Sequence, residues 1–406
     1  MNWKTKSRRS WGRLGMKSEW KTEILEHVCQ LITDGAHNSP KSVESGEYMA
    51  SVKDFTDYGL DFSKCKLISE NDYNLLKKQG CVPEINDILV GKDGARFFED
   101  IIIYKQLERP ALLSSIAILR PDQSIITPEF LYYTLRSPSV RQNVRENYGS
   151  GSAIPRIVLK DFKRMPISFP SIVEQRRITS ILLVLDQKIQ LNNEINKNLQ
   201  SQAQVIYDHL ILEKADKTWS EGLLSDIATI TMGQSPKGSS YNENGVGAVF
   251  FQGRAEFGFR FPIRKLYTTD PKRMAQANDV LMSVRAPVGD INVAYEDCCI
   301  GRGLSSIRSK DNHQSYVLYT MFNLRKQIDI FNGEGTVFGA INRDALNSMP
   351  ISFPPLKVID HFEALVSPMD AAILNNYKES VRLQTIRDSM LPMLMSGEID
   401  VSNIAL

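Results

Sequence analysis

"MPISFP" stands at Met165–Pro170 and again, letter for letter, at Met349–Pro354, 184 positions downstream. The flanks keep the same register. GSGSAIPRIVLKDFKR precedes the first copy and GEGTVFGAINRDALNS the second, so Gly149 meets Gly333, Gly151 meets Gly335, Ser152 meets Thr336 and Ile157 meets Ile341. Further upstream WKTEILEHV (Trp20–Val28) aligns with WSEGLLSDI (Trp219–Ile227) at an offset of 199, and EINDILV (Glu84–Val90) with QANDVLM (Gln276–Met282) at 192. The shrinking offset means deletions in the second copy, which surface loops absorb most easily. The period is far longer than a solenoid repeat, so the duplication predicts two similar domains.

The chain has 406 residues, enough for two or three domains, with a composition ordinary for a soluble globular protein. No apolar run approaches the roughly 18 residues of a membrane span. The start, MNWKTKSRRSWGRLGMKSEW, is basic but lacks the apolar core of a signal peptide, and Met16 offers an alternative initiator. Cys29, Cys65, Cys81, Cys298 and Cys299 are odd in number and form no CxxC pair. That fits a reducing cytosol and argues against a disulfide frame or a zinc ribbon. The net charge is +2, so contact with nucleic acid would rest on clustered rather than abundant cations.

Both bodies contain short strand-like runs (ASVKDF, IIIY, LLSSIAIL; GAVFFQG, INVAYE, GLSSIRS) bounded by turn-forming residues. A helix is expected before each Gly-rich loop, over Pro128–Val144 and Ser315–Phe331. The stretches after MPISFP differ from the bodies. From Glu174 to Leu212 no Pro or Gly intervenes, and Ile178, Leu182, Leu185, Ile189, Asn192, Asn196, Leu199, Ala203, Ile206 and Leu210 recur at spacings of three and four. This is a seam for a partner helix about 58 Å long, with the two asparagines fixing its register. The second tail offers Phe362, Leu365, Met369, Ile373, Asn376, Val381, Ile386 and Met390, with Pro368 expected to separate the first turn and Pro392 to end the helix. The chain thus divides into a basic extension (1–17), a first body (18–170), a central helical spacer (171–213), a second body (214–354) and a C-terminal spacer with tail (355–406). If the spacers pack antiparallel, a direct repeat in sequence becomes a pseudo-two-fold in space, which suits duplex DNA read in two half-sites.

This order of elements resembles the specificity subunit of type I restriction-modification enzymes, over nearly the whole chain from about Ser18. The most specific residues are Pro166-Ile167-Ser168-Phe169-Pro170 followed by Glu174-Gln175-Arg176-Arg177-Ile178. Others are Asp34-Gly35-Ala36-His37-Asn38-Ser39-Pro40, Gly233-Gln234-Ser235-Pro236, Arg285-Ala286-Pro287-Val288-Gly289 and Gly301-Arg302-Gly303-Leu304. The second tail departs from the pattern, reading PLKVIDHFE where EQRRI would stand. The resemblance implies an α+β chain of two similar mixed α/β target-recognition domains separated by two long antiparallel spacer helices. It implies a bipartite, asymmetric site on double-stranded DNA. It also implies spacers that dock two methylation subunits, through which restriction–translocation subunits join. Leu182, Leu185, Ile189, Leu199, Ile373 and Val381 are the candidate docking residues. Catalysis would belong to those partners: adenine methylation with S-adenosylmethionine, and ATP-driven translocation and cleavage.

The residues agree with a chain that has no catalysis and no cofactor of its own. No GxxxxGK[ST] phosphate loop occurs, and GEGTVFG at Gly333–Gly339 lacks the spacing of a dinucleotide loop. Phe353-Pro354-Pro355-Leu356 has no amide to hold a flipped adenine. Asp161-Phe162-Lys163 supplies one part of a metal nuclease site, but the nearest Pro-Asp, Pro121-Asp122, lies 39 residues upstream, and His27, His37, His209, His313 and His361 show no ligand spacing. Two alternatives stand beside the specificity subunit: a recognition fragment of a fused restriction-methylation enzyme, and a coiled-coil scaffold with two binding domains.

Candidate DNA-binding residues are cations on Gly-rich loops, since the arginine fork matches guanine O6 and N7. Lys92 and Arg96 lie in GKDGAR and Arg285 in the aligned SVRAPVG. Arg254 (FQGRAEFG), Arg302 (IGRGL), Lys237 (QSPKGSS) and Arg156, just past GSGSAIP, complete the set. Each has an ordinary alternative as a solvated charge or a loop buttress. The doubled MPISFP itself is expected to be a packed joint between body and spacer. Glu174–Arg177 are expected to touch a methylation subunit or to be solvated.

Overall fold

The computed structural model describes residues 20–149, 155–214, 219–332 and 339–404. The basic extension and the centres of both Gly-rich loops (150–154 and 333–338) lie outside the described residues. By its contacts the chain forms two units, Met1–Gln190 with Ser380–Leu406, and Leu191–Glu379. Each spacer helix therefore contributes one stretch to each unit.

In both units MPISFP is a short strand that closes the body. Pro166–Phe169 pairs antiparallel with Lys21–Ile24, and Pro350–Phe353 with Ser220–Leu223. A backbone bond fixes each register: Leu25 N–H donates to Met165 O at 2.8 Å, and Leu224 N–H to Met349 O at 2.8 Å. The strand alternates as its pleat requires. Met165, Ile167 and Phe169 point into the core while Pro166 and Ser168 are exposed. Met349 and Ile351 are likewise buried, with Pro350 and Ser352 exposed.

Each body is built on a four-stranded antiparallel sheet of the same strand order. In the first unit the order is Cys29–Asp34, Ile116–Pro121, Ile88–Gly91, Ile101–Ile103; in the second, Ala228–Met232, Leu304–Ser309, Val280–Ser283, Ile291–Val293. A second sheet contains one parallel pair in each unit, Glu47–Ala50 with Ala111–Leu112 and Ala248–Phe251 with Cys298–Ile300. The EINDILV and QANDVLM segments are one turn built twice. Asn86 and Asn278 have φ of 74° and 71°, a left-handed conformation that asparagine tolerates. Asp87 and Asp279 are buried and accept from the backbone N–H of Glu84 and Gln276 at 2.7 and 2.9 Å. Each also accepts from an arginine on the neighbouring strand, Arg120 at 2.9 Å and Arg308 at 2.6 Å.

Several helices differ from the sequence pattern. The helix expected over Pro128–Val144 is two, Pro128–Arg136 and Pro138–Asn147. The residue before a proline is driven out of the helical region, and Ser137 is extended at φ −61°, ψ 141°. The one expected over Ser315–Phe331 spans Gln314–Asn323 and continues in shorter turns. The first spacer runs Ile172–Tyr207 and ends in a π-turn, Asp208–Glu213. The second runs unbroken from Leu356 to Met395, through Pro368 and Pro392. Pro368 and Ala364, whose carbonyl loses its donor, are both exposed, so water can replace that bond.

Within each unit the two spacer stretches run antiparallel. In the first, Asp186 pairs with Arg387 at 2.6 Å and accepts from Tyr133 Oη at 2.6 Å, and Leu182 shares a cluster with Leu391 and Leu394. In the second, Asn192 Nδ2 donates to Glu379 at 2.8 Å, and Asn376 Nδ2 donates to Asn196 Oδ1 at 2.9 Å. Leu182, Ile189 and Ile373 are fully buried, and Leu185 and Leu199 half-buried. The buried three are packed inside this chain and cannot meet another subunit, which corrects their assignment as docking residues. Val381 is 43% exposed and lies off the seam, as do Leu365 and Ile386. The expected row contained steps of five residues, each turning the face by about 140°. The buried residues Phe362, Val366, Ile373, Ser380, Leu391 and Leu394 are 4, 7, 7, 11 and 3 positions apart, each separation a sum of threes and fours.

The first spacer begins by capping a helix of its body. Gln175, fully buried, accepts from Thr127 N–H at 2.8 Å and donates to the carbonyls of Ile125 and Pro170, both at 3.0 Å. Its place in the EQRRI stretch is thus structural. In the second unit Ile359 stands at the corresponding position, and Glu363, one turn later, accepts from the N–H groups of Ser315 and Tyr316 at 3.2 and 3.0 Å.

Lys92, expected at DNA, is buried. Its ammonium lies 3.2 Å from the carboxylate of Asp34, each side chain 9% exposed, and His37 Nε2 approaches the same carboxylate at 3.3 Å. The equivalent residues of the second unit are Met232 and Val284, both part of its apolar core. One unit therefore holds an ion pair where the other holds two apolar side chains.

Two predictions follow from these substitutions between copies. Lys92→Val leaves Asp34 buried without its cation and should cost about 3–5 kcal/mol, whereas the Asp34→Met/Lys92→Val double variant should recover most of that loss. Thermal and denaturant unfolding of the full chain measures both. Burial raises the Glu363 carboxyl above its ordinary value, outweighing the backbone bonds that lower it. A raised folded-state value means that ionisation opposes folding as pH rises through it. Glu363→Gln keeps only one of the two acceptors, but its melting temperature relative to the wild type should improve as pH rises from about 4 to 7, where the wild-type carboxyl must ionise.

Candidate nucleic-acid interface

In each body the loops that carry the candidate cations leave the four-stranded sheet at one end. In the second unit Met232 pairs with Ser305, Ser283 with Leu304 and Met282 with Ile291. The loops after Met232, before Leu304, after Ser283 and before Ile291 must therefore emerge together. Lys237, Arg302 and Arg285 stand on three of them, all exposed. None of the described ion pairs involves these three cations. Gly233 is what lets the first loop pass so close: a Cβ there would lie 2.1 Å from Gly301 O, and one on its counterpart Gly35 2.2 Å from Leu112 O.

The Arg285 loop is fastened from behind. Ser283 Oγ donates to Pro287 O at 2.8 Å and accepts from Asp290 N–H at 2.9 Å. Arg325 donates to Val288 O at 2.9 Å, and Val288 N–H to Asn332 Oδ1 at 2.6 Å. The Asp290 carboxylate holds Arg325 at 3.1 Å and Arg254 at 2.6 Å. Arg254 thereby ties the second sheet to this end, with its side chain 46% exposed but its charge already paired. Such bracing presents Arg285 on a fixed backbone, which lowers the ordering cost of contact.

The first unit places its loops the same way. Asp34 pairs with Ala117, Gly91 with Ile116 and Val90 with Ile101. Arg96 is 70% exposed, and Asp100, at 2.7 Å, raises its guanidinium above the ordinary value. Arg156 is exposed and its backbone bridges to Asp93. Six of the seven expected cations are therefore at the surface of this end, and Lys92 is inside. Lys53 beside the Arg96 loop escaped the sequence pattern because its segment reads as a strand, whereas Val52–Asp54 is a 3-10 turn. Arg325 escaped it too, since nothing local marks a helix residue as the brace of a distant loop.

Comparison with known proteins matches this architecture. The family described as type I restriction modification DNA specificity domain matches residues 17–201 and 216–383. A protein described as the MjaX specificity subunit of a type I restriction enzyme, from Methanocaldococcus jannaschii, is 28% identical over 94% of each chain. The HindI specificity subunit from Haemophilus influenzae is 21% identical, covering 74% of this chain and 83% of its own. The crystal structure of the type I restriction-modification S subunit from M. genitalium covers 94% of this chain and 97% of its own, with a TM-score of 0.58 at 16% identity, a likeness of fold. With two family matches that together take in both bodies and most of both spacers, the chain belongs to the type I restriction-modification DNA specificity family.

Proposed function

We propose that each body reads one half of a bipartite, asymmetric site on double-stranded DNA, as the address-reading subunit of a restriction-modification complex. The observation that carries this reading is the contrast between frame and loops. Strand order, the closing strand and the Asp87 and Asp279 turns are duplicated. The loops at the shared sheet end carry different side chains at equivalent positions. A frame repeated under divergent loops suits two readers of unlike half-sites. The chain performs no chemistry in this scheme and takes no cofactor. Methylation, translocation and cleavage fall to partner subunits in the cytoplasm.

The spacers supply the docking surface for the methylation subunits, two per chain, which in turn carry the restriction subunits. Exposed apolar side chains support this role. Val173 and Val184 are 51% and 63% exposed on the first spacer's stretch in the first unit. Leu191, Ile195 and Val205 are 53%, 46% and 66% exposed on its stretch in the second. Isolated exposed apolar residues are commonplace, but Leu191 and Ile195 lie one turn apart on a single face.

Reconstituted with its methylation subunit, the protein should protect one bipartite duplex in footprinting. Equal binding to all duplexes at moderate salt would overturn the reading, since nonspecific affinity is mostly electrostatic. Arg285→Ala should relax base preference at one position of one half-site by about 1–3 kcal/mol and leave the other half intact. Uniform weakening at both would make Arg285 a phosphate contact. Leu191→Glu/Ile195→Glu should weaken association with the methylation subunit at least tenfold while the circular dichroism of the chain is unchanged.

A further inference from the structure

Asp93 and Arg285 occupy the same place in the two bodies. Both form an antiparallel bridge to the segment before MPISFP, Asp93 with Arg156 and Arg285 with Ala340. The surrounding backbone bonds match one for one. Lys92 N–H donates to Ser115 O at 2.9 Å, and Val284 N–H to Gly303 O at 2.9 Å. Gly94 N–H donates to Pro155 O at 3.0 Å, and Ala286 N–H to Gly339 O at 3.0 Å. Ile157 N–H donates to Lys92 O at 3.0 Å, and Ile341 N–H to Val284 O at 3.1 Å. The loops close alike, through Gly91 N–H to Asp100 O and Ser283 N–H to Asp290 O, both 2.9 Å. A carboxylate, which only accepts, therefore stands in one body where a guanidinium, which only donates, stands in the other.

The Asp93 carboxylate has unused capacity. Oδ2 lies 3.9 Å from the Lys92 ammonium, which is already engaged by Asp34 at 3.2 Å. Oδ1 has no hydrogen-bond partner among the described residues. Oδ1 is closed to solvent, but the side chain as a whole is 31% exposed, and it is that exposed part of the carboxylate that an external donor can reach. Asp93 also lines a hollow of about 460 Å³ at the sheet end that carries Arg96, bounded by Gly91, Gly94, Phe55 and Lys53. Gly94, at φ 97°, meets no atom of the described residues within 4 Å of where a Cβ would stand, its chain neighbours aside.

The geometry points to Asp93 as the base-reading residue of the first half-site, accepting a hydrogen bond from the exocyclic amino group of a cytosine or an adenine in the major groove. It is the acceptor counterpart of Arg285, whose donors suit guanine. Only cytosine N4 and adenine N6 offer an amino donor on that edge, and an acidic side chain selects for it. Guanine and thymine present acceptors there and would face the carboxylate unfavourably. This assignment rests on the proposed reading of one half-site by each body, and it makes the two half-sites opposite in hydrogen-bond polarity at equivalent positions.

The test uses the full complex with its methylation subunit and a duplex library randomised over both half-sites. Wild type should select one base pair at one position of the first half-site, the donor being cytosine N4 if that pair is G·C and adenine N6 if it is A·T. Asp93→Asn should lose about ten- to a hundredfold of the discrimination at that position alone. Asp93→Arg, which installs the second body's residue, should shift the preference there toward guanine. Retained selection at the second half-site serves as the folding control for both variants. Unchanged base preference in both variants overturns the assignment, as does a uniform fall in affinity without loss of selectivity. A wild-type complex that selects no bipartite sequence fails differently: it removes the functional reading itself.

Discussion

Each body depends on the bond pattern that joins its first strand to its last. Leu25 N–H on Met165 O, and Leu224 N–H on Met349 O, fix where the chain enters relative to where it leaves. The pleat then dictates the rest of the hexapeptide: methionine, isoleucine and, in the first copy, phenylalanine go inward, while proline and serine face out. A slip of one residue would turn every apolar side chain to solvent, so the register is strongly specified. Both the first turn of each spacer and the loops at the far end of the sheet are positioned from this closure.

Behind the duplicated frame, the two units satisfy the same physical needs with different residues. The N-terminus of a body helix is capped by an amide from Gln175 in one unit and by a carboxylate from Glu363, one turn further along, in the other. The position at the base of the loops at the sheet end is a buried ion pair, Asp34 with Lys92, in one and two apolar side chains, Met232 and Val284, in the other. Both solutions leave no unpaired charge in the interior, which is the constraint that matters. The divergence between copies is therefore not confined to surfaces that meet ligand.

The duplication, most of the strand-like runs and the long spacers were legible because they rest on local chemistry: a repeated packed strand, a turn that needs asparagine at positive φ, helical periodicity. Much of the candidate site was legible too, since cations flanked by glycine mark the places where loops pass close to backbone, as Gly233 and Gly301 do. What could not be read depended on partners distant in sequence. Lys92 and Arg96 look alike in GKDGAR, and only the Asp34 carboxylate, delivered by another strand, decides that Lys92 turns inward. Gln175 looks like part of a charged helix face, but its partners Thr127 and Ile125 come from the body. Pro368 reads as a break because the solvent exposure that makes it tolerable is a tertiary property.

Entry and exit strands that lie side by side have an evolutionary consequence. Everything between Leu25 and Met165, or between Leu224 and Met349, begins and ends at neighbouring points of the same two-stranded ribbon. Such a segment is a cassette. Recombination between genes within the shared hexapeptide and the shared entry strand would exchange a whole body while leaving the spacer seam and its asparagine register untouched. Only the joint would need to stay the same, which gives selection a reason to hold it letter for letter while the sequence it encloses drifts.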